Sequence, residues 1–179
     1  MSSHDLNRVF ILTALACALL GATCDVRSRR IPNWLTGPAF ALGLGLHWAL
    51  QGWMALWTSL LAGIIAGGAF LLFYLGGGMG AGDVKLMAAV GVLTGLSRVG
   101  EVLLATTLLG GVFAVAVALF QGRLKAVLAN VITLVAHHGE AGLTPHPKLN
   151  LTNPLTLRLP YGIAIAAGAA VTSWNVLLR

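Results

Sequence analysis

"MALWTSLLAGIIAGGAFLLFYLGGGMGAGDVKLMAAVGVLTGLS", residues 54–97, holds two apolar runs, 54–75 and 84–97, parted by a glycine-rich break that ends on an aspartate, Asp83. A helix needs about 20 mostly apolar residues to cross a bilayer, so the first run is long enough by itself. The second is short and is headed by Asp83 and Lys85, which fits a span sheltered in part by protein. In hydrocarbon a backbone must satisfy its own hydrogen bonds, and apolar runs of this length do so as helices. The stretch therefore sets the fold class as all-α.

Further runs lie outward of it at roughly 7–24, 34–50, 101–120 and 159–178. Together they predict a polytopic membrane protein, a bundle of about six transmembrane helices built as a single membrane-embedded domain, residues 1–179. Composition agrees. Of 179 residues, 58% are hydrophobic and 9% charged, and mean hydropathy is +0.88, whereas an ordinary soluble domain is about 25% charged. Small residues recur within the runs, as in "AGIIAGGAF" (62–70) and "IAIAAGAA" (163–170). They let helix backbones approach closely in lipid, where packing drives association. Between the fifth and sixth runs, residues 121–157 form a loop that begins with a candidate amphipathic surface helix and continues as a proline- and asparagine-punctuated segment.

Lys and Arg in short loops set orientation. With "DVRSRRIPN" (25–33) in the cytoplasm, one side carries Arg27, Arg29, Arg30, Lys85, Arg123, Lys125, Lys148 and Arg158, against Arg8, Arg98 and Arg179 on the other. That places the amino terminus outside and the 121–157 loop in the cytoplasm. Arg8 and "LLGATC" (19–24) also resemble a secretory signal, but the arginines that follow Cys24 oppose translocation, so an uncleaved first helix is expected. The net charge of +6 is scattered through short loops without an aromatic platform, so nucleic acid is not an expected partner. Cys17 and Cys24 are seven apart and share a helix face, which suits small packing residues rather than a zinc site or disulfide. The loop histidines His137, His138 and His146 read as solvated; the first two are adjacent and would point to different faces of a helix. No metal or cofactor is expected.

Five acids remain: Asp5, Asp25, Asp83, Glu101 and Glu140. Asp5 belongs to the polar amino terminus, Glu101 to a short outside loop and Glu140 to the long loop, where solvation accounts for each. Asp25 closes the first run and Asp83 opens the fourth, which puts both near the cytoplasmic margin at similar depth. The plain structural reading makes Asp83 a helix cap and lets Asp25 face the arginines. The functional one starts from the cost of an ionisable group at the membrane. Two carboxylates that meet share a proton, so one can activate water while its neutral partner polarises a carbonyl. That suffices for peptide hydrolysis without a metal. The break glycines 76, 77, 78, 80 and 82 would let a second backbone come close to Asp83, and no GKS or GKT ending marks a phosphate loop. A small proton-coupled transporter could also use paired carboxylates, though neither inverted repeats nor mid-membrane carboxylates are visible. A non-catalytic assembly subunit would tolerate asparagine at both positions.

"GAGD" (80–83) matches the GxGD signature of intramembrane-type aspartyl peptidases. "DVRSRRIPN" resembles the aspartate-plus-IPN segment of type IV prepilin peptidases, and "LPYGIAIAAGA" (159–169) resembles that family's lead-in to its last helix. The resemblance implies six transmembrane helices in the bacterial inner membrane. It also implies removal of the leader from prepilin or pseudopilin precursors at the cytoplasmic face, after a leader glycine, by two aspartates. Carried onto this sequence, the catalytic pair is Asp25 and Asp83, with Gly80, Gly82, Pro32 and Asn33 as motif-supporting residues and no cofactor. Lys85 reads as a snorkelling side chain. The chain starts straight into its first helix, without the paired CxxC region of the bifunctional members. It thus resembles the short, peptidase-only form of the tight-adherence (Flp) pilus type, in which methyltransferase activity is not expected. Membrane lipid is an implied partner, and oligomeric state is left open.

Overall fold

The computed structural model describes residues 3–142, 144, 146, 149 and 160–178. Among these, seven helices follow one another: α1 (Ser3–Ser28), α2 (Asn33–Gln51), α3 (Trp53–Leu75), α4 (Ala81–Thr94), α5 (Leu96–Phe120), α6 (Leu124–Ala141) and α7 (Tyr161–Leu177). The described residues include no strand. Each apolar run predicted above centres on one helix, the fourth (84–97) overrunning Gly95 into the first residues of α5, and α6 takes the place of the amphipathic segment. Lys148, Arg158, Leu159, Arg179 and most of the 143–157 stretch lie outside the described residues.

Among the described residues three helices, α1 (from His4), α3 and α5, are long and apolar enough to cross a membrane, and α7 is a shorter apolar helix. The expected six is therefore not met by length and hydropathy alone, for a reason visible in α2 and α4. Pro38, His47 and several glycines dilute α2. The α4 helix has 14 residues, about 21 Å at 1.5 Å per residue. It is short because protein encloses it: α1, α2, α3, α5 and α7 all pack on it. Leu86, Met87, Val90, Val92 and Leu93 are fully buried around its circumference, and a helix enclosed on every side has no reason to be amphipathic.

Small residues make that enclosure tight. A Cβ added at Gly67 of α3 would lie 2.9 Å from the Ala88 Cβ of α4, and one at Gly91 would lie 2.9 Å from the Ala62 carbonyl oxygen. Removing side-chain volume at such crossings brings backbones together and gains dispersion contacts, which replace the hydrophobic driving force absent in lipid. The exterior inverts the soluble pattern: Leu61, Ile64, Leu72, Leu104, Leu108 and Val112 are exposed, as suits a lipid solvent. Cys17 packs in the core and Cys24 is half-buried, both as free thiols. Along α6 no residue is buried, and Leu128, Val131, Ile132 and Val135 form an exposed apolar stripe at helical spacing.

Two expectations need correction. The outside loop between the fourth and fifth runs shrinks to Gly95, whose φ of +72° turns the chain directly from α4 into α5. Glu101 consequently lies within α5, where it is paired rather than simply solvated: Arg98 Nη1 donates to Oε2 at 3.0 Å and Asn175 Nδ2 donates to Oε1 at 2.7 Å.

Candidate active site

Asp25 sits in the last turns of α1, just before the helix closes with Arg29 N–H on the Asp25 carbonyl at 2.7 Å. Its side chain is 8% exposed, and Oδ2 accepts a 3.0 Å hydrogen bond from the Gly162 N–H in the first turn of α7. The first N–H groups of a helix have no partner within it, so α7 offers Asp25 a donor it would otherwise have to satisfy elsewhere. The approach favours glycine: a Cβ at 162 would lie 3.0 Å from both the Asp25 Cβ and the Ala22 Cα, so each would have to give by a few tenths of an ångström.

Asp83 lies in the first turn of α4 and is 9% exposed. Its Oδ2 accepts from the Gly80 N–H at 3.0 Å, while the Asp83 N–H donates to the Gly80 carbonyl at 3.1 Å. Gly80, the N-cap, has no side chain to offer, so this is half of a capping box, in which only the Asp83 side chain reaches back to the N-cap N–H. The plain reading of Asp83 as a helix cap is therefore correct, and it coexists with a place in the cluster.

The backbone that comes close to this loop is the chain's own. A Cβ at Gly82 would meet the Ile31 Cβ at 3.1 Å and the Ile31 N at 3.4 Å, so the IPN segment docks on the glycine-rich turn. Pro32 forms the N-cap of α2 with φ −76°, the angle its ring imposes. Asn33 follows, and its Oδ1 accepts from Lys85 Nζ at 2.9 Å. Lys85 thus has a defined protein partner that snorkelling did not foresee.

Asp25 and Asp83 are close enough for the charge of one to act on the other. Asp83 lies outside the three helices long enough to span the bilayer. Burial pushes its carboxyl up to about 6; the Gly80 N–H opposes this and the Asp25 charge adds to it. The Asp83 charge also reaches Tyr161, half-buried beside Gly162 at the start of α7. The cluster therefore draws on α1, α4 and α7, with the 29–32 linker and α2 buttressing it. Neither Tyr161 nor Gly162 was singled out from the sequence, although the proline-aromatic-glycine lead-in to the last run was the signal that contained them.

The histidines depart from expectation. His137 and His138 occupy the last turns of α6, half-buried, with ring centroids 5.5 Å apart edge to face. His138 also lies against the glycine-rich break, where a Cβ at Gly76 would be 3.0 Å from its Nε2. His146 packs edge-on to His137 at 4.9 Å. Among the described residues no three His, Cys, Asp or Glu side chains converge as a metal-binding group.

In comparisons with known proteins, the profile of the type IV leader peptidase family matches residues 11–115, a span that includes Asp25, the IPN segment and GAGD but not α7. No curated protein and no solved structure matched the chain.

Proposed function

The chain belongs to the type IV leader peptidase family, and from that membership we propose that it is an aspartyl endopeptidase that uses Asp25 and Asp83 to cut the leader from prepilin-like precursors. A peptidase held in a membrane by apolar helices and acting on prepilin-like substrates is what the family match and the helices support. The observation that carries the two-aspartate reading is that two buried carboxylates from different helices, each holding one backbone N–H on Oδ2, are near enough for the charge of Asp25 to act on Asp83. Oδ1 of each is then left for the reaction.

A proton shared by the pair gives each carboxylate a task. The ionised member takes a proton from water, and the resulting nucleophile attacks the scissile carbonyl carbon while the neutral member gives its proton to the carbonyl oxygen. Collapse of the tetrahedral intermediate breaks the C–N bond, and the amine leaves with a proton from the pair. One water is consumed, and the products are a leader carboxylate and a new amino terminus. Because Asp83 holds its proton up to about 6, the singly protonated pair is accessible near neutral pH. Coupled groups titrate as a unit, so acid and base are assigned to the pair.

The substrate class follows as the Flp-type prepilin or pseudopilin, its basic leader in the cytoplasm and its apolar helix beside the bundle. The enzyme is a single domain of the bacterial inner membrane, amino terminus outside and carboxylates facing the cytoplasm. Support comes from the distribution of charge. Arg27, Arg29, Arg30, Lys85, Arg123 and Lys125 follow or begin helices at the carboxylate end, while Arg8 and Arg98 lie at the other.

The test is co-expression with a tight-adherence prepilin, read as a mobility shift, for wild type, Asp25→Asn and Asp83→Asn at equal membrane levels. Loss of processing in both variants is expected. Processing that persists in either removes that aspartate from the mechanism.

A further inference from the structure

Little of the protein holds α6. None of its residues is buried, and among the described helices α5 alone packs on it. Leu124, Val127 and Leu134 form a half-buried edge, while Leu128, Val131, Ile132 and Val135 stand between 50% and 70% exposed. A helix of this length is marginal in water without packing on its apolar face, so the stripe calls for a cover. What adjoins it says which. The exposed apolar side of the membrane-crossing α5, with Leu108, Val112, Val115 and Leu119, faces lipid. A fixed turn then leads into α6: Gly122 has φ +65°, Arg123 N–H donates to Ala118 O at 2.9 Å and Gly122 N–H to Leu119 O at 3.0 Å, the pairing of a Schellman motif. So α6 starts at the level where α5 leaves the hydrocarbon, and its stripe continues a lipid-facing surface.

Charge selects the kind of leaflet. Arg123 precedes α6 and Lys125 lies in its first turn; both are exposed, and among the described residues neither forms an ion pair. The one acid of α6, Glu140, is in its last turn. That order opposes the helix macrodipole, whose positive end attracts anions, so the basic turn is stabilising only beside anionic groups. Lys125 precedes Leu128 by three residues and Ile132 by seven, which sets it on the rim of the stripe. There its stem can lie along acyl chains while the ammonium stays among headgroups. At the far end the His138 ring, with Nδ1 2.7 Å from Leu134 O, lies against Gly76, where the glycine-rich break to Asp83 begins. We propose that α6 lies in the headgroup layer of an anionic leaflet, its stripe in the acyl chains and Arg123 and Lys125 on lipid phosphates, and that this seat holds His138 against the break that leads to Asp83. The seat stands apart from the peptidase reading, whereas its effect on cleavage rests on it.

The experiment places the full chain in nanodiscs of phosphatidylcholine alone or of equimolar phosphatidylcholine and phosphatidylglycerol, and follows backbone hydrogen exchange across residues 124–138. With phosphatidylglycerol, wild type is expected to exchange there roughly tenfold more slowly, the scale of two basic side chains at an anionic surface. Arg123→Gln combined with Lys125→Gln should remove that difference, and high salt should shrink it. Ile132→Gln, at an exposed position that does not threaten the bundle, should speed exchange in both lipids. Equal exchange of wild type in the two lipids would overturn the anionic seat. So would protection that appears only when an apolar prepilin peptide is added, which would make the stripe a substrate surface. Cleavage in proteoliposomes of the same lipids tests the link to Asp83: the wild-type rate should rise severalfold with phosphatidylglycerol, and His138→Ala should abolish the rise while exchange across 124–134 stays slow. A rise that survives His138→Ala would overturn the link. Wild type that cleaves in neither lipid would count against the peptidase reading, while the exchange result would still decide the seat.

Discussion

Each end of the bundle buries polar groups, but the two ends satisfy them differently. Asp25 and Asp83 each receive a backbone N–H, from Gly162 and Gly80, whereas His47 is satisfied on one ring nitrogen only. Along α1, Phe10 and Asp25 stand about 22 Å apart at 1.5 Å per residue. In both places a glycine brings backbone up to the polar side chain. At the carboxylate end that backbone offers an N–H, and at the His47 end it only leaves room. The difference teaches that burial in a membrane bundle does not by itself mark chemistry. Two interacting acids, each with a fixed donor, are equipped for proton transfer; a lone histidine stacked on Phe10 has no second acid with which to share a proton.

The sharpest way to break this contrast is to neutralise the acids one at a time. Asp25→Asn or Asp83→Asn should lower the rate of prepilin cleavage in proteoliposomes by about 100- to 10,000-fold, the range of a lost general acid or base. Cleavage by either variant at the wild-type rate would leave the two ends chemically alike.

Next in size are two glycines of α7 that separate positioning from packing. Gly162→Ala drives a methyl against the Asp25 Cβ and the Ala22 Cα, each at 3.0 Å, which must give by a few tenths of an ångström; it should cost roughly tenfold in cleavage, short of the about 100-fold of a full 1 Å misplacement. Gly168→Ala, further along the same helix, meets the Thr106 backbone N of α5 at 2.7 Å. It should lower thermal stability by about 1–3 kcal/mol through overpacking, while cleavage per folded molecule holds. If Gly168→Ala impaired turnover as much as Gly162→Ala, the effect at 162 would be one of helix docking and not of Asp25 geometry.

These glycines also show how far the sequence could be read. Helix existence was legible throughout, because apolar runs in a chain with 9% charge leave no other fold. Asp25 and Asp83 stood out because acids are scarce beside apolar runs. Asn33 and Pro32 were legible as a motif, but the tie from Asn33 to Lys85 joins positions 52 residues apart, and no local pattern encodes it. Gly162 was hidden for the same reason. Its task is to yield to Asp25 across 137 residues, and in sequence it is one small residue in a run of small residues. Glu101 was misplaced because Gly95 turns the chain in a single residue, where composition suggested a longer loop.

A smaller effect comes from pH. Asp83 has its carboxyl raised from 3.8 to about 6, so between these values the folded state keeps a proton that the unfolded chain has lost. Stability contributed by that proton is present below about 4 and is lost as pH rises through 6. Asp83→Asn stays neutral and keeps an oxygen for the Gly80 N–H. It should match wild type at pH 4 and exceed it at pH 7.5 by about 2–3 kcal/mol, two units at 1.36 kcal/mol each, read as a thermal-shift difference in detergent. A gap of the same size at both pH values would mean that Asp83 is not held protonated by burial.

The smallest effect belongs to Lys85, and it bounds how many charged groups the carboxylate end employs. Lys85 and Asn33 are both exposed, so water competes for the 2.9 Å bond between them, and its net worth should be about 0.5–1.5 kcal/mol. Lys85→Met keeps most of the apolar stem and deletes the ammonium, which should lower stability by that amount and leave cleavage within about threefold. A double-mutant cycle with Asn33→Ala isolates the pair, since the contact disappears in either single variant and the coupling energy reports the bond alone. The stability cycle should return a coupling near 1 kcal/mol, with no matching term in cleavage. If Lys85→Met instead slowed cleavage a hundredfold while the stability coupling stayed small, the ammonium would be acting on the substrate. The carboxylate end would then be a site of three charged groups, further still in character from the end that buries His47.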